Sequence, residues 1–171
     1  MFTYCPSCAG KNISFNEKNR FFCPDCGFLY YHNTAAASGL VIATRNGLLF
    51  LIRGSEPACG KLDLPGGFVD PGEGLIEGLR RECREELGWD CGENLALFAS
   101  FPNVYPYKGI NYNTCDMFFS VDAPELTEQD LTLQTGEIGG CRFIREDKLC
   151  LDDLAFSSTV RAVKAFLTRK H

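Results

Sequence analysis

The chain has 171 residues, the length of one domain or of one domain with a small appendage. Hydrophobic residues make up 45% of the sequence and charged residues 23%, a composition that excludes a disordered chain. The 22 acidic residues outnumber the 17 lysines and arginines, and the resulting net charge of -5 disfavours nucleic acid as the main ligand.

Two features predict a cytoplasmic protein without a membrane anchor. No apolar run reaches the roughly 20 residues that a membrane span needs. The first residues also lack the basic and then apolar layout of a signal peptide.

Histidine is scarce, since only His32 and His171 occur. A Ser-His-Asp triad or a metalloprotease helix with paired histidines therefore has almost no material. Any chemistry falls to carboxylates, cysteines or bound metal ions.

Four cysteines near the N-terminus form two Cys-x-x-Cys pairs separated by 14 residues, namely Cys5, Cys8, Cys23 and Cys26. Two such pairs can enclose a tetrahedral zinc ion, as in a zinc ribbon, and the alternative is two disulfides in a secreted mini-domain. A reducing cytoplasm favours zinc. Because four thiolates leave no open position for water, we expect a structural Zn²⁺ in a ribbon spanning residues 1–33.

After a short linker, the sequence predicts a β-hairpin and then a helix. Apolar strands at 39–45 and 48–53 flank Asn46-Gly47, a dipeptide typical of tight hairpin turns. A loop rich in glycine and proline follows. The helix spans 75–87 and ends at Gly88; every fourth residue is apolar, as in Leu75, Leu79, Cys83 and Leu87.

The remainder reads as strands divided by polar turns, followed by a final helix. Apolar segments predict strands near 95–101, 115–121 and 141–144. The last helix spans about 158–169, with Ser157 or Ser158 as its cap. The sequence thus predicts an α/β (α+β) fold preceded by the zinc ribbon.

Three carboxylates share one side of the helix at 75–87. At about 100° per residue, Glu82 and Glu86 lie nearly above one another and Glu85 lies close to both. Such a group fits a hard divalent cation such as Mg²⁺, of the kind that accompanies phosphate substrates. On spacing alone, a solvated acidic face paired with neighbouring arginines explains the pattern equally well.

The full spacing resembles the Nudix box. Gly67, five residues, Glu73, seven residues and then Arg81-Glu82-Cys83-Arg84-Glu85-Glu86-Leu87-Gly88-Trp89 match that motif at every charged and glycine position. Cys83 and Trp89 stand where the motif usually has aliphatic residues, a difference that affects packing.

This resemblance implies a Nudix fold over residues 36–171, with a mixed β-sheet sandwiched between helices. It also implies hydrolysis of a nucleoside diphosphate linked to another moiety, with Mg²⁺ or Mn²⁺ as the required metal. Glu82, Glu85 and Glu86 match the metal-binding carboxylates, and Gly67 matches the residue whose carbonyl completes the metal shell. Glu73 and Arg81 match a supporting pair in which the arginine orients the glutamates.

Further candidates lie outside the box. Glu137 resembles the family's later glutamate, which serves as an extra metal ligand or as the general base. Arg53, Tyr105 and Tyr107 are candidate substrate contacts, through phosphate binding and base stacking. For each of these four residues, ordinary surface or packing roles remain open.

The order of zinc ribbon and box is similar to that of NADH pyrophosphatases, whose full specificity motif is absent from residues 100–109. We therefore expect a small-molecule nucleotide such as NADH, NAD or an ADP-ribose-like compound. The ribbon would be a structural cap or a homodimer contact. The alternative is a non-catalytic module that senses nucleotides or nucleic acid, and the decapping of nucleotide-capped RNA is a minor third reading.

Overall fold

The computed structural model describes residues 2–16 and 19–169. The start of the predicted range 1–33 and the end of the predicted range 36–171, including His171, therefore lie outside the described residues. The chain divides into two compact units, residues 1–34 and residues 35–171.

The first unit is a small antiparallel sheet with very little core. Its strands run in the order β1, β2, β3, with bounds Ser14–Phe15, Arg20–Phe22 and Leu29–Tyr31. Phe21 is buried together with Cys5 and Cys23. The rings of Phe2 and Phe28 meet the Phe21 ring edge-on, with centroids 5.2 and 6.0 Å away. One buried ring is too little to hold such a unit together without a further constraint.

The second unit is a seven-stranded sheet with two helices. Its elements in chain order are β4 (Ala35–Thr44), β5 (Gly47–Arg53), β6 (Leu62–Asp63), β7 (Gly66–Phe68), α1 (Leu75–Leu87), β8 (Ala96–Tyr107), β9 (Ile110–Asp122), β10 (Ile138–Ile144) and α2 (Ser157–Arg169). The main strand order is β10-β5-β4-β9-β8, with β6 beside β5 and β7 beside β4. β4 and β9 run parallel and the other paired strands are antiparallel, so the sheet is mixed.

The central strands are buried on both faces. In β4, Leu40 packs in the cluster that contains Leu79 of α1, whereas Val41 packs in the cluster that contains Val163 of α2. Strands covered on both faces are apolar throughout, which explains the uninterrupted runs in the sequence. The predicted mixed sheet between helices is confirmed.

Helix α1 has the predicted bounds and end. The Glu77 side chain accepts a hydrogen bond of 2.7 Å from the Gly74 amide at the start of the helix. Gly88 adopts the left-handed conformation, with φ of 62°, and its amide donates to the carbonyls of the last turn.

The largest difference from the predicted elements is a long hairpin at the sheet edge. Apart from a register shift between Leu97 and Ala99, β8 and β9 pair along their length up to a two-residue turn at Lys108 and Gly109, both with positive φ. β8 contains Pro102 and Pro106, which a strand tolerates here because β8 is an edge strand.

Helix α2 begins one residue earlier than predicted, at Ser157. The Ser158 hydroxyl donates a 2.6 Å hydrogen bond to Oδ2 of Asp116 on β9, so it ties the helix to the sheet. Within residues 2–16 and 19–169, neither helix is long and apolar enough to cross a membrane.

Candidate active site and cysteine cluster

The glycine-rich turn before α1 places the backbone directly against two glutamates of that helix. Pairing of β7 with β4 sets Gly67 opposite Ser38. A Cβ atom at Gly67 would lie 2.5 Å from Oε1 of Glu82, so a larger residue here would displace the Glu82 carboxylate. The Gly66 amide donates to Oε2 of Glu86 over 2.8 Å. Turn and helix therefore form one wall of a site.

A cavity of about 470 Å³ lies beside this wall. Eight of the ten sequence-predicted residues of the second unit line it: Arg53, Gly67, Arg81, Glu82, Glu86, Tyr105, Tyr107 and Glu137. Glu73 and Glu85 are not among the lining residues and contact Arg81 instead.

Glu82 and Glu86 line the cavity, and their surroundings disfavour the charged form of both carboxyl groups. Burial, reinforced by the neighbouring carboxylates of Glu82, Asp63 and Glu137, raises the pKa of Glu86 to about 8. Burial also raises the pKa of Glu82, against the effect of Arg81. A bound cation would remove this penalty.

The raised pKa of Glu86 predicts how stability depends on pH in metal-free buffer. A carboxyl group whose pKa is higher in the folded state than the usual 4.5 costs stability as pH rises from that value through about 8. Glu86→Gln should therefore gain in melting temperature over wild type, and the gain should widen between pH 5 and pH 8. A gain of equal size at every pH would contradict the shift.

Arg81 holds the carboxylates around it in place. Its guanidinium donates to both carboxylate oxygens of Glu73, at 2.9 and 3.1 Å, and these bonds hold the pKa of Glu73 below its usual range. It also donates to Glu82 at 3.0 Å, to Glu85 at 3.1 Å and to the Phe68 carbonyl at 3.1 Å. The planar group thus links the turn to the helix.

The carboxylate oxygens of the described residues do not converge on one point in this arrangement. Among the described residues, the four N-terminal cysteines form the only group of three or more His, Cys, Asp or Glu side chains whose ligand atoms all lie within 4.8 Å of one another. Arg81 bridges Glu82 and Glu85, whereas Glu86 is held by the Gly66 amide.

Arg53 is bound within the protein. Its Nη1 lies 3.2 Å from Oδ2 of Asp63, its Nε donates to the Pro57 carbonyl, and its Nη2 donates to the Tyr105 hydroxyl. The guanidinium also lies over the Phe156 ring, 5.0 Å from the centroid. Arg53 therefore reaches the cavity as part of an ion-paired, ring-backed wall.

Sequence reasoning missed Asp63, which takes a central place in that wall. Its Oδ1 accepts hydrogen bonds from the Thr159 hydroxyl and the Leu64 amide, and burial raises the pKa of its carboxyl group despite Arg53. The one available signal was an acidic residue inside an apolar segment directly before the glycine turn.

Ser38 and Thr114 also line the cavity, and sequence analysis did not identify them. Their hydroxyls are buried and have no hydrogen-bond partner in the part of the chain that the structure describes. An unpartnered buried hydroxyl costs about 1–3 kcal/mol, so a ligand group that bonds to either would recover that cost.

The four N-terminal cysteines converge as the sequence predicted. Their sulfurs all lie within 4.8 Å of one another, and the Cys5–Cys26 and Cys8–Cys23 separations are 3.7 Å each. Tetrahedral zinc with ligand bonds of about 2.3 Å requires sulfurs about 3.8 Å apart, so the cluster fits this ion.

Zinc should hold this unit together. We expect about one zinc per chain by elemental analysis, and its loss in Cys23→Ser, with melting of the small sheet. Exposed Cys59→Ser is the matched control and should keep the metal. Native protein without zinc would contradict the assignment.

Comparison with known proteins identifies the second unit. The family model described as the NUDIX domain matches residues 32–166. The "NAD-capped RNA hydrolase NudC" of Stutzerimonas stutzeri is 33% identical over 87 residues, covering 51% of this chain and 31% of that protein. The "ADP-ribose pyrophosphatase" of Methanocaldococcus jannaschii is 42% identical over 60 residues, covering 35% of each.

The chain therefore spans about a third of the length of these relatives in the matched segments. A crystal structure of a NUDIX hydrolase from Nitrosomonas europaea superposes with a TM-score of 0.71 at 24% identity, covering 99% of this chain and 93% of that one. At that identity the superposition shows the fold alone. On the family match over most of its length, this chain belongs to the NUDIX domain family.

Proposed function

We propose that residues 36–171 are a metal-dependent pyrophosphohydrolase that cleaves the diphosphate of a nucleoside diphosphate linked to another moiety. One observation carries the proposal: a single cavity has partly buried glutamates and a glycine turn on one side and an aromatic, ion-paired wall on another. The first suits a cation and a diphosphate, and the second suits an attached organic group.

Mg²⁺ or Mn²⁺ fits the glutamate wall. Glu82 and Glu86 have raised pKa values that a cation would relieve, and both are oxygen ligands of the kind that these ions prefer. Glu85 and the Gly67 carbonyl complete the proposed ligand set, with Glu137 as a further ligand or as the base. When bound, the cation supplies charge neutralisation on the diphosphate and acidifies a coordinated water.

The protein's own residues orient the metal ligands and deprotonate the attacking water. Arg81 fixes Glu82 through its hydrogen bond, and Glu73 fixes Arg81, so the pair acts as a positioning support. Glu137 lines the cavity without a hydrogen bond to its carboxylate from the described residues, which leaves its oxygens available to take a proton from the attacking water. Arg53 and the rings of Tyr105 and Tyr107 contact the rest of the substrate.

An NAD-like or ADP-ribose-like substrate is our proposal for the small-molecule partner. The names of the relatives, an NAD-capped RNA hydrolase and an ADP-ribose pyrophosphatase, support this class. We propose that the cysteine unit is a structural zinc ribbon over residues 1–33, and the homodimer remains a prediction. A cytoplasmic location likewise remains a prediction.

A panel of NADH, NAD, ADP-ribose, nucleotide sugars and nucleoside triphosphates with Mg²⁺ tests the function. Metal-dependent cleavage at a diphosphate is expected for at least one member. Ligand-induced thermal stabilisation without cleavage of any member would instead indicate a nucleotide-sensing module.

A further inference from the structure

A polar group of side chains on β8 and β9 lines the cavity and has no part in the proposed hydrolysis. Thr114, Asp116 and Phe118 are every second residue of β9, so they share one face of that strand. Asn103 on β8 lies directly opposite Thr114. Phe118 belongs to the core cluster under α2, so this face of the sheet looks toward α2. We call Asn103, Thr114 and Asp116 the polar triplet.

The triplet lies two strands away from the glycine-rich turn that precedes α1. Phe68 pairs with Ala37, and Ala37 pairs with Asp116, so two strand spacings of about 4.8 Å each separate Phe68 from Asp116. Phe68 directly follows Gly67. Between these walls the cavity floor is the small side chain of Ala37 together with Gly39. The same cavity is lined by Glu82, Glu86 and the triplet, so a ligand anchored at the glutamates can extend to the triplet.

The triplet has unused hydrogen-bonding capacity. The Thr114 hydroxyl is buried, with the residue only 3% exposed, and it has no partner among the described residues. Asp116 accepts one hydrogen bond at Oδ2 from Ser158, and its Oδ1 receives none from the described part of the chain. A carboxylate accepts only, so the group that completes it must donate.

Aromatic rings enclose the same part of the cavity. Phe68 meets Tyr105 edge-to-face with centroids 5.4 Å apart, and Tyr105 lies 5.5 Å from Phe156. Ring walls above a floor of small residues favour a flat ligand group over a branched one.

We propose that the polar triplet binds the part of the substrate beyond the diphosphate, and that this part is a planar ring with an amino or carboxamide N–H donor. Asp116 Oδ1 accepts the N–H, and Thr114 bonds to the same edge of the ring. The inference rests on the proposed pyrophosphohydrolase and adds a specificity determinant to it.

Matched dinucleotides separate the inference from the function. NAD carries an amine on adenine and a carboxamide on nicotinamide; its hypoxanthine analogue lacks the first, and its nicotinic acid analogue has a carboxylate in place of the second. All three keep the diphosphate, so cleavage of any of them supports the hydrolase. Cleavage of none would contradict the proposed function for dinucleotides, and the inference with it.

The ratio of kcat/KM values tests the triplet. Wild type should disfavour one of the two analogues by about 10- to 100-fold, because a hydrogen bond to a charged group is lost, and that analogue identifies the bound ring. Asp116→Asn should reduce this discrimination at least about tenfold. Equal use of all three dinucleotides by wild type, or a uniform loss in Asp116→Asn, would overturn the inference.

Two companion variants exclude a merely structural explanation. Ser158→Ala removes the same Ser158–Asp116 hydrogen bond but keeps the carboxylate, so the melting temperature should fall while the discrimination stays. Thr114→Val removes the unpartnered hydroxyl, so the ligand-free protein should melt higher while KM for the preferred dinucleotide rises several-fold. A lower melting temperature with unchanged KM in Thr114→Val would contradict the assignment.

Discussion

Glu86→Gln should lower kcat for diphosphate cleavage by about 10²- to 10⁴-fold while leaving the fold intact. We propose that the partly buried carboxylate of Glu86 carries its charge only when a cation balances it, and an uncharged amide cannot replace that interaction. Glutamine keeps an oxygen that can accept the 2.8 Å hydrogen bond from the Gly66 amide, so the turn should stay in place. Steady-state kinetics with saturating Mg²⁺ and far-ultraviolet circular dichroism provide the two readouts.

The matched control for this variant is Glu77→Gln. Glu77 lies on the same helix and its side chain caps the Gly74 amide, a role that glutamine also fills. Its kcat should stay within about twofold of wild type, because an exposed glutamate outside the cavity loses only a screened charge. Wild-type turnover in Glu86→Gln would mean that the metal lies elsewhere.

Arg81→Lys should be nearly as damaging, although the charge is conserved. The guanidinium makes five hydrogen bonds, two of them to Glu73, and an ammonium cannot reproduce this planar pattern. We expect the Mg²⁺ concentration for half-maximal activity to rise about 10- to 100-fold, because Glu82 and Glu85 lose their fixed orientation. A metal titration of activity measures this directly.

Arg84→Lys is the control for Arg81→Lys. Arg84 lies on the same helix, half exposed, and its ion pair with Asp90 is long, at 3.5 Å. Such surface pairs contribute little, so its metal titration should match that of wild type. An unchanged metal dependence in Arg81→Lys would show that the arginine supports the fold alone.

The sequence predicts those parts of the fold that depend on residues close together along the chain. The apolar period and the glycine at position 88 define helix α1, and the spacing from Gly67 to Glu86 places turn and carboxylates together. Because turn and helix are neighbours along the chain, their geometry follows with little help from the rest of the protein.

The strands of the β8–β9 hairpin are longer than the predicted strands at 95–101 and 115–121, because the sequence signals for the added residues are weak. Pro102 and Pro106 normally argue against a strand, and only the edge position of β8 makes them acceptable. Lys108-Gly109 is also a weaker sequence signal than Asn46-Gly47, although in that first hairpin Gly47 pairs with Thr44 and the turn falls on Arg45 and Asn46. Edge position is a property of the assembled sheet, and a single sequence does not reveal it.

The polar wall of the cavity depends on contacts between distant segments. Asp63, Thr114 and Asp116 come together because β9 pairs in parallel with β4, and because α2 supplies Ser158 and Thr159 to the same face. Parallel pairing leaves no turn in the sequence that would fix its register. Scattered polar residues within apolar strands were therefore the only trace of this wall.

The most direct test of the account is phosphorus NMR of ADP-ribose and NAD incubated with the full chain and Mg²⁺. Hydrolysis at the diphosphate predicts loss of its signals from at least one of them and the appearance of two phosphomonoester signals. Chelation of the metal or Glu86→Gln should prevent the change. Diphosphate signals that persist in both, or that disappear equally fast with Glu86→Gln, would contradict the proposed active site.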